Sequence, residues 1–598
     1  MNAINLVIIA ALVLILAYRY YGAFMATKVL VLDPSRVTPA VRHNDGRDYV
    51  PTNKWVTFGH HFAAIAGAGP LVGPVLASQF GYLPGTVWLL IGAVAAGAVH
   101  DMVILFASVR HDGLSVAEIA KKEISEASGL ATSIAVLFIL IITMAGLAIA
   151  VVNALYDSPW GTFTVAATIP TAIFVGIYLR YLRPGHIGEA SFIGVALVLA
   201  GVFAGPAVQS SWLAPFFTFS RTQLSVMLAV YGFVAAALPV WLLLAPRDYL
   251  STYMKIGTIL ALALGILIVR PQIHMPALTP FIHGGGPVIP GPVWPFMFIT
   301  IACGAISGFH ALIATGTTPK MLTNEAEIRA VGFGGMLVES FVGLMALIAA
   351  TSMFPADYFA INTLPPIFAK LHMHINELPA LSQMVGENVA GRPGGAVSLA
   401  VGMAHIFEKI PGLKGLLSFW YHFAIMFEAL FILTTIDAGT RVGRYLLQEL
   451  GGRVYKPLKD VHWTPGLIVT SALMSFAWGY LLYGGSISTI WPLFGVANQL
   501  LGSMALAVGT TVLFRMGKGR YTWTTIIPMC FLAVTTVAAG YMNVVLNYLP
   551  QRNYLLAGAS LVMIVLVVFV IADAVRVWLR IGRRAQAVDA AKAIMSEE

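Results

Sequence analysis

From end to end the chain is a succession of apolar runs, each long enough to cross a bilayer and separated by more polar connections. A spanning helix needs about 20 mostly apolar residues. That yardstick gives fifteen runs: 4–21, 58–78, 86–109, 130–153, 162–180, 187–206, 222–245, 253–270, 292–315, 328–351, 416–436, 463–483, 490–513, 522–546 and 553–578. Hydrocarbon offers a bare amide no partner, so each run must close its hydrogen bonds within itself, as a helix does. Composition agrees, with 58% of the 598 residues hydrophobic and 10% charged, where a soluble chain carries about 25% charged residues. A soluble enzyme is excluded, and an all-α polytopic membrane protein in a lipid bilayer is expected.

The 35 Lys and Arg exceed the 26 Asp and Glu, for a net charge of +9. They gather in a few loops rather than along one stripe, which argues against a nucleic-acid partner and for a topology signal. The segment 395–407, about 13 residues long, is too short to span. Leaving it out of the count puts the basic loops on one side, among them Lys28 to Lys54, Arg180 and Arg183, Arg247 and Lys255, and Arg441 to Lys459. The positive-inside rule then places the N-terminus outside and the C-terminus in the cytoplasm. The run Ile4–Tyr21 has no basic stretch before it and no small-residue cleavage motif after it, so it reads as a retained span. Ser115 to Ser128 has the spacing of a short amphipathic surface helix, and Phe354 to Arg392 reads as the largest exposed outer piece. Its His372, His374 and Glu377 look like a metal set, but residues at i and i+2 of a helix face apart. Two cysteines, Cys303 and Cys530, support neither a disulfide framework nor a cluster, and no metal or cofactor is expected.

Breaks in a spanning helix are informative because they free backbone groups. The second run reads HHFAAIAGAGPLVGP from His60 to Pro74, with Gly67, Gly69, Pro70, Gly73 and Pro74 crowded at mid-depth. Prolines cannot donate to the helical ladder, and glycines permit dihedrals no helix uses. The pattern suits a discontinuous helix, whose freed carbonyls near Ala66 and Gly69 would ligate a cation and whose second half would receive a carboxylate at its N-terminus; the competing reading is a kinked helix packed through small residues. The seventh run holds Pro239 in AAALPVW and closes with APRDYL. It lies five runs later and points the opposite way, as an inverted repeat requires, although one proline often only bends a helix. The ninth run, ACGAISGFHALIATGTTPK, carries Ser307, His310, Thr315, Thr317 and Thr318 in apolar surroundings, with hydroxyls that either face a site or bond back to their own helix.

Ionisable groups within spans are expensive and point to function by default. Here they are His100, Asp101, His310, Glu339, His422, Glu428 and Asp573. Asp101 and Glu428 are candidate proton carriers, with helix-to-helix hydrogen bonding as the alternative. His60 and His61 fit packing or gating near one membrane face, and Asp437 is placed to pair with Arg441 at i+4. No nucleotide-binding loop or nucleophile elbow occurs, so an ion gradient would have to power any transport.

The runs RHNDGRDYVPT, FGHHFAAIAGAGPLVGPVLA, GAVHDM, APRDYLS, CGAISGFHALIATGTTPK and TTIDAGTR resemble the carbon starvation protein A family over most of the chain. The resemblance implies a bacterial or archaeal inner-membrane transporter of short peptides or pyruvate, coupled to protons or sodium. It also implies a core of two inverted five-helix repeats, like that of amino-acid, polyamine and organocation transporters. On that basis 1–57 is a first span with its basic loop, 58–206 the first repeat, 222–436 the second repeat with an outer insertion at 354–415, and 437–598 a four-span addition with a tail. A sodium position would fall between the second and ninth spans, at Ser307 and the carbonyls near Ala66 and Gly69. The expected substrate-binding set is Gly67, Gly69, Pro70, Pro239, Ser307 and His310; the expected ion-coupling set is Ala66, Gly69, Ser307, Asp101 and Glu428. The alternatives are a channel, which would need a continuous polar stripe, or a nutrient sensor without coupled transport. An enzyme is not expected.

Overall fold

The computed structural model describes the chain except residues 46–48, 184–185, 240–241, 461–462 and 598. Arg47 and Trp241 therefore lie outside the described residues. The fold is helical throughout. Among the described residues, 11 helices are long and apolar enough to cross a membrane, or 12 with one bent pair taken as a span. We label the principal helices α1 (Ala3–Val29), α2 (Lys54–Ile65), α3 (Gly69–Phe80), α4 (Tyr82–Arg110), α5 (Glu126–Leu155), α6 (Pro159–Leu182), α7 (Gly188–Gln209) and α8 (Arg221–Ala237). The second half continues with α9 (Leu244–Val269), α10 (Val293–Thr300), α11 (Phe309–Gly316), α12 (Glu325–Thr351) and α13 (Ala396–Glu408). It ends with α14 (Leu417–Gly451), α15 (Thr464–Gly484), α16 (Ile487–Arg515), α17 (Trp523–Tyr548) and α18 (Tyr554–Arg583).

Of the three remaining expected spans the seventh is short and the ninth is split, while the eighth forms within the 26-residue α9. The seventh, α8, stops at Ala237 because Leu238 precedes Pro239 and takes an extended conformation, φ −68° and ψ 153°. Pro239 thus lies on an exposed turn beyond the helix end rather than at mid-span. APRDYL does not close that span but opens α9, where a proline in the first turn costs no hydrogen bond. The ninth is divided into α10 and α11 by a non-helical stretch. The boundary drawn at 436/437 falls inside α14, which runs through it unbroken.

The 354–392 segment is less exposed than expected. Its first helix, Pro355–Asn362, is buried from Ala356 onward, and the Tyr358 hydroxyl donates to the carbonyls of Val75 and Leu76 at 2.8 and 3.0 Å. His372, His374 and Glu377 are exposed. The short α13 is buried in the bundle. The surface helix forms at Val116–Glu123 with Ser115 as its N-cap.

α16 is the most enclosed long helix, while α17 and α18 beside it and α1 at the N-terminus keep much of their surface outward. Exposed Ile, Leu, Val and Phe along those outward faces would be untenable in water and are natural against lipid tails.

Candidate functional site

Ala66 ends α2 in an inverse γ-turn, φ −74° and ψ 69°, with the Gly67 amide turned onto the Ile65 carbonyl at 2.8 Å. α3 restarts at Gly69 with Pro70 in its first turn, and the axis bends by 46°. This is the discontinuity read from the glycines and prolines. A second one faces it. Between α10 and α11 the chain leaves the helix from Ile301 to Gly308, with Gly304 at φ +90°, where a side chain would be strained.

The two broken spans run antiparallel. At one end His60 Nε2 meets the Thr317 hydroxyl at 3.1 Å and His61 Nδ1 the Thr318 hydroxyl at 2.8 Å. At the other, the amides of Val288 and Ile289 donate to Gln79 at 2.7 and 3.1 Å. In the middle the breaks touch: a methyl group at Gly69 would lie 2.5 Å from both Cβ and Sγ of Cys303. The partner of the second-span break is thus in the ninth span, not the seventh. Residues 66–80 and 300–311 are buried, so the centre is closed at both ends.

Side chains hold the freed backbone. Trp88 Nε1 donates to the Ile301 carbonyl at 3.1 Å and Gln499 Nε2 to the Phe298 carbonyl at 2.6 Å. Asn498 Oδ1 accepts from the Phe309 amide at 2.8 Å, its backbone carbonyl accepts from the Gly308 amide at 3.1 Å, and its side chain meets Ser307 Oγ at 3.0 Å. The expected hydroxyl ligand Ser307 therefore bonds to Asn498 and Cys303. Thr315 bonds back to its own helix at Ala311, 2.7 Å away.

A cation does sit at the freed carbonyls of α2, but it is a side chain. Lys255 Nζ, on α9, donates to the carbonyls of Ala63 and Ala66 at 2.9 and 3.3 Å and lies 4.2 Å from the Phe431 ring centroid. Lys255 and Arg247 were both counted as loop charges; their exposures are 1% and 0%. Arg247 contacts the Tyr231 hydroxyl and lies 3.4 Å from Asp437, which also accepts from Tyr231 at 2.7 Å. Asp437 is thus joined to α8 and α9 rather than to Arg441, whose guanidinium caps the end of α8 at the Ala235 and Leu238 carbonyls. A helix that ends at a proline exposes carbonyls, and an arginine four residues from a carboxylate finds them before it finds the carboxylate.

Three spans bring the ionisable candidates together. His310 on α11 points Nδ1 at Asp101 Oδ2, 2.8 Å, and Nε2 at Glu339 Oε2, 3.0 Å, while His100 Nδ1 holds the other Asp101 oxygen at 2.7 Å. All four side chains are fully buried. A neutral imidazole carries one N–H, so facing two carboxyl groups requires one more proton, on the ring or on Glu339. Cys303, His310 and Glu339 also offer donor atoms within 4.8 Å of one another. The 3.0 Å approach of His310 Nε2 to Glu339 Oε2 is an ion-pair contact rather than a hydrogen bond, and both Glu339 oxygens are buried with no hydrogen-bond partner among the described residues.

The other candidates lie elsewhere. Glu428 is buried on α14 with neither oxygen hydrogen-bonded among the described residues. His422 stacks on Trp160 at 3.7 Å and meets Glu387, which also binds Ser158 at 2.5 Å. Asp573 ties α18 to Ser125 and Ser128 at the start of α5.

Residues 2–539 match the family model described as carbon starvation protein CstA. The chain is 54% identical over 583 residues to a peptide transporter CstA of Bacillus subtilis, covering 97% of each. It is 53% identical to the peptide transporter CstA of Escherichia coli, over 91% of this chain and 81% of that one. With the pyruvate/proton symporter BtsT of Escherichia coli the identity is 44%, over 97% of this chain and 92% of that one. Among solved structures, a manganese transporter of Eremococcus coleocola aligns at 14% identity with a TM-score of 0.39, over 91% of this chain and all of that one, too distant to bear on site or cargo. The chain belongs to the carbon starvation protein CstA family.

Proposed function

We propose that this membrane transporter, which is not an enzyme, imports small carboxylate-bearing nutrients, short peptides or pyruvate, by proton-coupled alternating access across the inner membrane. The observation that carries the reading is the pair of antiparallel broken helices meeting at Gly69 and Cys303, with His310 between two carboxyl groups and within 4.8 Å of the Cys303 sulfur. Breaks of this kind are tolerated in a membrane only where they are buried in protein or line a cavity, and in transporters paired breaks form the site. The start of α3 offers the positive end of a helix dipole to a carboxylate. In this reading the basic loops face the cytoplasm and the N-terminus lies outside, and two inverted repeats carry the broken helices, α2–α3 opening one and α10–α11 belonging to the other.

Coupling follows from electrostatics. A proton shared by Asp101, His310 and Glu339 alters the charge beside the site, so an anionic substrate and the proton favour each other in the closed state. The test is uptake of labelled pyruvate and of labelled dipeptide into proteoliposomes under an imposed proton gradient. Accumulation abolished by an ionophore is expected for at least one solute. In Glu339→Gln the gradient should no longer drive accumulation, while exchange of internal for external solute continues. Accumulation of neither solute would remove the transport assignment; gradient-driven uptake in Glu339→Gln would remove the proton assignment.

A further inference from the structure

The geometry points to Lys255 as a tethered cation that fills the alkali-cation seat of the broken second span, so that this transporter neither binds nor needs sodium. The inference rests on the transporter reading for its uptake assay but not for its binding assay.

The seat is defined by the chain break. α2 ends at Ile65, and its C-terminal carbonyls form the negative end of a helix dipole. Turning the Gly67 amide onto Ile65 leaves the Ala63 and Ala66 carbonyls to seek another donor. In a buried, membrane-embedded position that donor must be a cation or a hydrogen-bonding side chain. Lys255 Nζ supplies both, 2.9 and 3.3 Å from the two oxygens. Its position is built rather than incidental. The residue is 1% exposed, the Phe431 face covers the ammonium at 4.2 Å, as a cation–π contact requires, and a methyl placed at Gly67 would lie 2.9 Å from the hydroxyl of Thr435, one turn further along α14. A soluble monovalent cation bound by the same carbonyls would lie within a few ångströms of a like charge in a low-dielectric setting. The two exclude each other.

A tethered charge differs from a dissolved one in what it joins. A sodium ion can leave when the seat opens; Lys255 moves with α9. It therefore links the end of α2 to α9 without consuming a second gradient.

The test pairs sodium binding with transport. Purified protein in detergent is incubated with radioactive sodium, and the same preparations are reconstituted for uptake at a fixed proton gradient in sodium-free and sodium-containing buffer. The wild type should bind no sodium specifically and transport equally in both buffers. Lys255→Ala, which empties the seat, should lose uptake about tenfold or more in sodium-free buffer, bind sodium, and recover part of its uptake when sodium is added. Lys255→Met, which fills the space without charge, should stay inactive in both buffers, and Lys255→Arg should retain uptake that sodium does not change. Specific sodium binding by the wild type overturns the inference, as does sodium-stimulated wild-type uptake. So does full sodium-free uptake by both neutral variants. If the wild type transports neither solute, the transporter reading fails while sodium binding still decides the seat.

Discussion

Placing a methyl group at Gly69 tests whether the two broken spans meet where the fold puts them. Gly69 begins α3 immediately before Pro70, whose ring disfavours helical dihedrals for a preceding residue that carries a Cβ, so alanine brings a modest backbone cost of its own. Its Cβ would also come to 2.5 Å from both Cβ and Sγ of Cys303. Ordinary carbon contacts are about 3.5–4.0 Å, so Cys303 would have to retreat by about 1 Å. Cys303 is not free to do so, because its Sγ meets Ser307 Oγ at 3.3 Å and Asn498 Nδ2 at 3.5 Å. Overpacking of this kind costs about 1–3 kcal/mol, and 1.4 kcal/mol is about tenfold in an equilibrium. Gly69→Ala should therefore lower uptake about tenfold at unchanged membrane insertion and lower the melting temperature of the purified protein. Cys303→Gly removes both clashing atoms, so Gly69→Ala combined with Cys303→Gly should perform within about threefold of Cys303→Gly alone, an interaction energy of about 1–3 kcal/mol in a double-mutant cycle. Gly59→Ala, with no atom within 4 Å of the new methyl, is the control and should be neutral. Equal losses in the single and double variants, or no loss in either, would refute the contact.

Three further outcomes are expected. Asn498→Leu leaves the Phe309 amide and Ser307 without their partner in a buried site, which costs about 2–5 kcal/mol; it should abolish uptake and lower thermal stability, and a stable, active variant would contradict the role given to Asn498. Asp437→Asn removes the carboxylate from the buried contact with Tyr231 and Arg247 and should lower the melting temperature, whereas Asp437→Leu with Arg247→Met should recover most of that stability in the same melting assay. Outside the membrane, a hydrogen bond from His111 to Glu123 at 2.9 Å raises the His111 pKa. Burial works to raise that of Glu123, but His111 and Arg515 outweigh it and the net shift is downward. The histidine contribution is present in full below its ordinary pKa of 6.5 and is lost as pH rises through the raised value; the glutamate contribution is lost as pH falls below 4.5 through the lowered value. Protection factors in Val116–Glu123, corrected for the intrinsic pH dependence of amide exchange, should therefore be highest between those limits and fall above neutrality, and Glu123→Gln should flatten that dependence.

Much of the site was legible because glycine and proline act locally. The GAGP run forces the second-span break whatever surrounds it, and the buried Asp101 and His310 declare themselves by the cost of placing them in hydrocarbon. What escaped was long-range. Trp88, Asn498 and Gln499 hold the ninth-span break from other helices; the two amides, polar groups in an apolar run, were the available signal, but a search restricted to ionisable residues passes over them. That break carries one helix-breaking run, Cys303–Gly304 to Ser307–Gly308, without a proline, so nothing in it distinguishes a gap from a helix of small residues. Lys255 and Arg247 were hidden by the topology argument itself, because counting basic residues between apolar runs assigns every such residue to a loop. The early start of α9 overturns that assignment. Pro239 misled in the opposite sense, since a proline near the end of a run terminates the helix instead of opening a site within it.

The Asn498 bonds also decide which parts of the protein can travel together. α16 belongs to the last four spans, yet it grips the gap between α10 and α11 through both its backbone and its side chain. A rocking motion that carries the broken helices must carry α16 as well, or sever those bonds on every cycle. α16 is in turn wrapped by α17 and α18, whose outward faces meet lipid. Helices tilt to match the local hydrocarbon thickness at a cost of fractions of a kcal/mol per ångström, and that tilt would be transmitted through α16 to the gap. Turnover is therefore expected to vary with the acyl-chain length of the surrounding bilayer, which uptake in vesicles of graded lipid thickness would read.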